Sequence, residues 1–107
     1  PKTKLKCIPI KKNMGWCDDV KSKENYNRLI NIKQKVRYEK LHRFDRKYDL
    51  LIPIKYNFFK PKLRKGSAIF LHITKNFKPT AGCIAIKESD FLILLRLIKK
   101  NTKISIR

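Results

Sequence analysis

Short apolar runs in the second half of the chain predict strands separated by polar connectors. "LLIPIKY" at 50–56 predicts a strand, and Pro53 within it indicates a sheet edge, because proline has no amide hydrogen for a ladder bond. "SAIFLHI" at 67–73 is apolar on both faces, which is typical of a strand covered on two sides. "CIAI" at 83–86 resumes the strand pattern after a connector that contains Gly and Pro. Together these runs predict a sheet.

Side chains alternate between the two faces of the predicted strand at 67–73. Ala68 and Phe70 share one face with His72, and the intervening residues point the other way. If this strand pairs with the one that Cys83 begins, the two backbones lie about 5 Å apart. The imidazole and the thiol are then near neighbours.

The stretch "KESDFLILLRLIKKN" predicts a covering helix at about residues 88–100. Ser89 or Glu88 is the expected N-cap, and Lys99 and Lys100 in the last turn complement the helix dipole. Since the segment "FLILL" is apolar all round, we expect the helix to be buried against the sheet.

The remaining segments have weaker patterns. Residues 1–35 are polar and turn-rich, so we expect extended segments and loops there. The stretch 38–44 predicts a short helix, and "KISI" at 103–106 predicts a last strand. At 107 residues, the chain is predicted to form a single, mainly β domain over 1–107.

Composition adds a strong basic charge. There are 28 Lys and Arg against 8 Asp and Glu, a formal net charge of +20, and such a field attracts polyanions. The basic residues are scattered along the chain, however, and no recognition helix, zinc finger or RNA-binding motif is present. We therefore expect a solvated basic surface and no specific nucleic-acid partner. A non-catalytic basic module that binds nucleic acid or an anionic envelope polymer is the alternative function.

The longest apolar stretch, 91–98, is interrupted by Arg96 and is far shorter than the roughly 20 residues that span a bilayer. We therefore expect no transmembrane segment.

Three cysteines, Cys7, Cys17 and Cys83, cannot all pair within one chain. Cys7 and Cys17 would be able to form a disulfide in an exported protein, and a buried thiol is the simpler expectation for both. With two histidines and no metal-ligand spacing, neither a metal site nor a cofactor is predicted.

Cys83 and His72 together suggest nucleophilic catalysis. A free thiol with a pKa of about 8.5 is only slightly ionised at neutral pH, and a neighbouring imidazole corrects this by accepting its proton. Gly82, directly before the cysteine, permits a sharp turn whose amides can face a developing oxyanion. Thr80 is positioned to brace that turn through its hydroxyl.

The segments "GSAIFLHI" and "PTAGCIAI", followed by the helix "KESDFLILLRLI", resemble the catalytic core of the L,D-transpeptidases, the YkuD-like family. The pattern of that family is an upstream His followed by Ser/Thr-His-Gly-Cys. The likeness covers about residues 13–106, with "GWCDD", "NYN" and "YDLLIPIKYN" as further points of similarity. Family members usually begin with further strands, so the chain resembles a catalytic domain that lacks its N-terminal strands.

The resemblance implies a β-sandwich or distorted barrel with a C-terminal covering helix. It also implies that Cys83 is the nucleophile and His72 the general base. In this family the thiolate attacks the diaminopimelate carbonyl of a peptidoglycan stem peptide, expels the terminal D-amino acid, and passes the acyl group to an amine. With water as acceptor, the reaction becomes an L,D-carboxypeptidase. A monomer in the periplasm or cell envelope is expected.

Two residues depart from the family pattern. Ala81 replaces a second histidine, and Ala85 replaces an Arg or Asn that can hold substrate. Another group must therefore orient His72, and a backbone carbonyl is the expected one. The substrate carboxylate must find a different cation, for which the candidates by residue type are Lys87, Arg64 and Lys65.

Overall fold

The structure is a computed structural model that describes residues 2–74 and 83–105. These residues form six short strands and one helix: β1 (Met14–Cys17), β2 (Leu29–Asn31), β3 (Tyr38–Lys40), β4 (Leu51–Pro53), β5 (Phe70–Ile73), β6 (Ile84–Ile86) and α1 (Glu88–Leu97). The predicted fold class, mainly β with a C-terminal helix, is confirmed.

The strands form two three-stranded sheets. In the first sheet β1 lies between β2 and β3 and is antiparallel to both. In the second sheet β5 lies in the centre, antiparallel to β4 and parallel to β6. The strand that bears His72 therefore pairs with the strand that follows Cys83, which is the condition that the sequence analysis left open.

Strand β5 is covered on both faces, as its sequence predicts, and all four of its residues are buried. Phe70 belongs to a cluster between the two sheets, whose buried members are Trp16, Leu41, Tyr48, Ala68 and Phe70. The opposite face of β5 packs against α1 in a second cluster of buried residues, Leu71, Ile73, Phe91 and Leu95. Apolar burial on both faces makes β5 the centre of the molecule and leaves His72 as its one polar side chain.

Strand β4 is an edge strand of the second sheet, and Pro53 is its last residue. The predicted edge position is confirmed. Proline is tolerated here because β4 has no neighbouring strand on its outer side, so the missing amide hydrogen breaks no hydrogen bond of the sheet there.

Helix α1 is shorter and more exposed than predicted. It ends at Leu97, its N-cap is Lys87 without a side-chain cap bond, and the basic residue of its last turn is Arg96. The predictions that Ser89 or Glu88 is the N-cap and that Lys99 and Lys100 lie in the last turn were therefore wrong. Phe91 and Leu95 are buried, whereas Leu92, Ile93 and Leu97 are 41%, 59% and 71% exposed, because the sheet covers only one side of the helix.

Two further predictions were wrong. The stretch 38–44 does not form a helix, since Tyr38–Lys40 pairs with β1 as strand β3. Sheet pairing supplies hydrogen bonds that outweigh a weak helical propensity. Residues 103–105 form no strand. In 1–35 the expected extended segments are present, but two of them are paired strands.

Candidate functional site

His72 lies in the middle of the central strand and is 1% exposed. Its Nδ1 lies 2.9 Å from the carbonyl oxygen of Ile73. Because a carbonyl only accepts, Nδ1 carries a hydrogen, and in the neutral tautomer that this bond selects the proton acceptor is Nε2. Nε2 is buried and has no hydrogen-bond partner among the described residues. The expected backbone carbonyl that orients His72 is thus present.

Cys83 directly precedes β6 and lies on the same face of the second sheet as His72. Leu71 pairs with Ile84, so one step back along both strands Cys83 lies beside Phe70. Paired residues of a sheet share a face, and residues two apart on a strand share it too. Cys83 is half-buried and packs against the cluster between the sheets.

The thiol of Cys83 is protonated in this arrangement. It donates a hydrogen bond to the carbonyl oxygen of Ala68 at 3.4 Å. Burial raises the pKa of the Cys83 thiol and the charge of Glu39 raises it further, while the Phe70 backbone amide and the charge of Lys47 act in the opposite direction.

The structure brings the predicted pair to one face without a hydrogen bond between them. Nδ1 of His72 is engaged with Ile73, and Nε2 accepts from no residue that the structure describes. The site therefore holds a protonated thiol and an imidazole on one face of the second sheet.

Tyr48 and Glu39 join this site, and the sequence analysis missed both. The ring of Tyr48 is 3% exposed and lies edge-on to His72 and to Phe70, with ring centroids 5.5 Å and 5.6 Å away. Its hydroxyl donates a short hydrogen bond to Oε1 of Glu39. Burial and this carboxylate raise the pKa of the Tyr48 phenol, so it stays a donor.

A sequence signal for Glu39 existed but was weak. In "YEKL" the glutamate alternates with Tyr38 and shares a strand face with Leu41, the pattern of an inward-pointing charge. A helix assignment for 38–44 hides that alternation.

The other predicted site residues are less informative. Gly82 and Thr80 lie outside the described residues. Arg64 and Lys87 are exposed, Arg64 in a loop with φ of 67° and Lys87 at the N-cap of α1. Ala85 pairs with His72 across the two parallel strands.

In the part of the chain that the structure describes, Cys7, Cys17 and Cys83 form no disulfide with one another. Cys17 is buried as expected. Cys7 is exposed, so the expectation that it is buried was wrong, because its segment lies at the surface.

A separate cavity of ≈ 950 Å³ lies along strand β4 and the segment 5–10. Trp16 and Tyr48 contribute to its lining, whereas neither His72 nor Cys83 does. The described residues contain no group of three or more side chains suited to hold a metal ion, and no helix among them has the length and apolar character that a bilayer crossing requires.

Comparison with known proteins identifies the family. The sequence profile of the L,D-transpeptidase catalytic domain, YkuD, matches residues 3–106. The chain belongs to the YkuD family. Searches of curated proteins and of solved structures found no match.

Membership in the YkuD family covers nearly the whole chain and agrees with the two sheets and the terminal helix. It assigns catalysis of the L,D-transpeptidase type in general. The family acts on peptidoglycan and is associated with the cell envelope. The YkuD resemblance drawn from the segments around His72 and Cys83 is thereby confirmed.

Proposed function

We propose that this YkuD domain is a cysteine acyltransferase that acts on peptidoglycan stem peptides at the envelope. Cys83 attacks the diaminopimelate carbonyl and releases the terminal D-amino acid. The resulting thioester passes its acyl group to an amine, as a transpeptidase, or to water, as a carboxypeptidase. The single domain would work as a monomer without a cofactor.

The observation that carries the proposal is the state of the His72 ring. Ile73 holds the hydrogen on Nδ1, so the buried Nε2 is the basic nitrogen, and it has no partner among the described residues. A buried acceptor without a partner is costly, and a catalytic role is one of the explanations for such an atom in a native structure. Cys83 occupies the same face of the sheet and supplies the proton that Nε2 lacks.

Proton transfer follows from these positions. In the resting state the Cys83 thiol donates to Ala68. As substrate enters, rotation about the Cα–Cβ bond directs the S–H bond toward Nε2 of His72, which takes the proton while sulfur attacks the carbonyl carbon. The imidazolium then protonates the departing amine, and the C–N bond breaks to leave the thioester.

The remaining predicted residues complete the proposal. The amides of Gly82 and Cys83 would stabilise the oxyanion, with Thr80 bracing the turn. Lys87 and Arg64, which are both exposed, would meet the substrate carboxylate.

The test uses an acyl donor that marks the nucleophile. A carbapenem carries a strained lactam carbonyl, and mass spectrometry locates the adduct. We expect one adduct on Cys83, its loss in Cys83→Ala, and slowing by about 10²-fold or more in His72→Ala, the usual contribution of a general base. Cys7→Ser and Cys17→Ala serve as matched controls that keep the adduct.

An adduct that persists in Cys83→Ala, or a rate unchanged in His72→Ala, would contradict the proposed roles. A stem tetrapeptide then identifies the reaction, because release of the terminal D-amino acid with and without an added amine separates transfer from hydrolysis.

A further inference from the structure

Glu39 is a carboxylate placed at the candidate site in a chain of net charge +20. It pairs with Trp16 across strands β1 and β3, so its side chain shares the face that packs toward the second sheet. Trp16 in turn packs edge-on against Phe70, the neighbour of Cys83, with ring centroids 5.3 Å apart. Strand pairing therefore directs the negative charge toward the nucleophile.

Tyr48 fixes one oxygen of this carboxylate. Its hydroxyl donates to Oε1 of Glu39, while its ring is held between Phe70 and His72. A neutral donor orients the carboxylate without cancelling its charge. Oε2 has no hydrogen-bond partner among the described residues and is not one of the buried unpartnered atoms, so it keeps access to solvent.

Arg43 makes its ion pair with Asp45 and none with Glu39. Arg43 lies over the Tyr48 ring, 5.2 Å from its centroid, but its guanidinium is bound to Asp45, with Nη2 2.5 Å from Oδ2. In the part of the chain that the structure describes, Glu39 makes no ion pair, whereas Asp18, Asp45 and Asp49 each pair with an arginine. A half-buried carboxylate with one oxygen fixed and the other open is suited to a cation.

We infer that Glu39, held by Tyr48 on the face of the first sheet that packs toward the second sheet, binds a primary ammonium group of the substrate. The inference rests on the proposed function for the identity of that substrate, a stem peptide whose diaminopimelate carries a free amine. In the field of this basic chain a cationic group gains nothing at long range, so a local carboxylate is required to hold it. The ammonium belongs either to the acyl donor or to the accepting amine.

Binding is tested first in Cys83→Ala, which cannot turn over. Calorimetry compares a stem tetrapeptide whose diaminopimelate amine is free with one whose amine is acetylated. We expect acetylation to weaken binding about tenfold or more, the value of a charge-assisted hydrogen bond. Glu39→Gln, which keeps an acceptor for Tyr48, should abolish that difference. Glu24→Gln removes an exposed carboxylate elsewhere and should preserve it.

The inference is overturned if both peptides bind within about twofold of each other, if the free-amine peptide does not bind, or if the difference survives Glu39→Gln. These outcomes do not depend on catalysis. A wild-type chain that forms no Cys83 adduct would contradict the proposed function alone and leave the binding result to decide the role of Glu39.

Kinetics then separate the two sources of the ammonium. If Glu39→Gln raises KM for the accepting amine with an acetylated donor, the carboxylate serves the acceptor. If it raises KM only for the donor with a free amine, the carboxylate serves the donor. Acylation by a carbapenem without a primary amine does not use the proposed ammonium contact, so Glu39→Gln should not slow it. A loss of rate there that matches the loss with the free-amine donor would show a general defect of the site and overturn the inference.

Discussion

The indole Nε1 of Trp16 donates a 2.8 Å hydrogen bond to Oδ1 of Asn27, and both side chains are buried. The same oxygen accepts from the Ala68 amide at 3.2 Å. The Asn27 amide nitrogen donates to the carbonyl oxygens of Tyr56 and Asn57, at 3.0 and 2.7 Å. Asn27 therefore joins the first sheet to the segments that lead into β5.

Replacement of Asn27 should be strongly destabilising. Asn27→Ala leaves two buried donors and two carbonyls without their partner, and φ of 58° is unfavourable for alanine. At about 1–3 kcal/mol for each buried group left unsatisfied, we expect a loss of at least about 3 kcal/mol in the free energy of unfolding. Urea denaturation measures this loss. Asn101→Asp, at an exposed site, should change little, and a loss below about 1 kcal/mol for Asn27→Ala would contradict the assigned role.

Gly15 should not tolerate a side chain. A Cβ there would lie 2.8 Å from Cδ2 of Tyr38 and 3.0 Å from Cγ2 of Ile32. We expect Gly15→Ala to lower the free energy of unfolding by about 1–3 kcal/mol through overpacking. A double-mutant cycle with Tyr38→Ala checks the cause, because the penalty should shrink once the ring is absent. An equal penalty in both backgrounds would exclude the ring as its source.

Stability should fall as the pH rises above about 9. Burial raises the pKa of Cys17 above its usual value, and burial likewise raises that of Cys83. The unfolded chain then loses these protons at a lower pH than the folded chain does, which favours unfolding. The stabilisation is complete below pH 9 and is lost as the pH passes through the raised values. Melting temperatures between pH 7.5 and 10.5 test this, with a flatter dependence expected for Cys17→Ala than for Cys7→Ser.

Thiol alkylation should follow exposure. Toward iodoacetamide at neutral pH we expect Cys7, which is exposed, to react first, Cys83 more slowly, and Cys17 only on unfolding. The rate at Cys83 should rise steeply toward pH 9 and above, because its raised pKa limits the thiolate at lower pH. Peptide mapping in Cys7→Ser isolates the slower site. A fast reaction of Cys83 at pH 7 would indicate a preformed thiolate and contradict the neutral resting state.

Local patterns explain why much of the second sheet could be predicted. Alternation has a period of two residues, so the faces of β5 and the shared face of His72 and Phe70 are readable from seven consecutive letters. A proline in a predicted strand indicates an edge strand from sequence alone, because proline has no backbone amide hydrogen to donate to a neighbouring strand. The covering helix was predicted from composition, but its exposed outer face was not, because composition does not say how many sides a neighbour covers.

Local sequence patterns identified the pair of candidate residues, the strand faces on which they lie, and the family to which their motifs belong. Three features became visible only in the folded chain: that Tyr38–Lys40 is a strand, which nitrogen of His72 carries the hydrogen, and that Glu39 and Tyr48 lie at the site. They depend on contacts between residues that are distant in sequence. The contact of Asn27 with Ala68 joins residues 41 positions apart, and Trp16 pairs with Glu39 on a neighbouring strand. Neither contact can be predicted from the periodicity of a short segment.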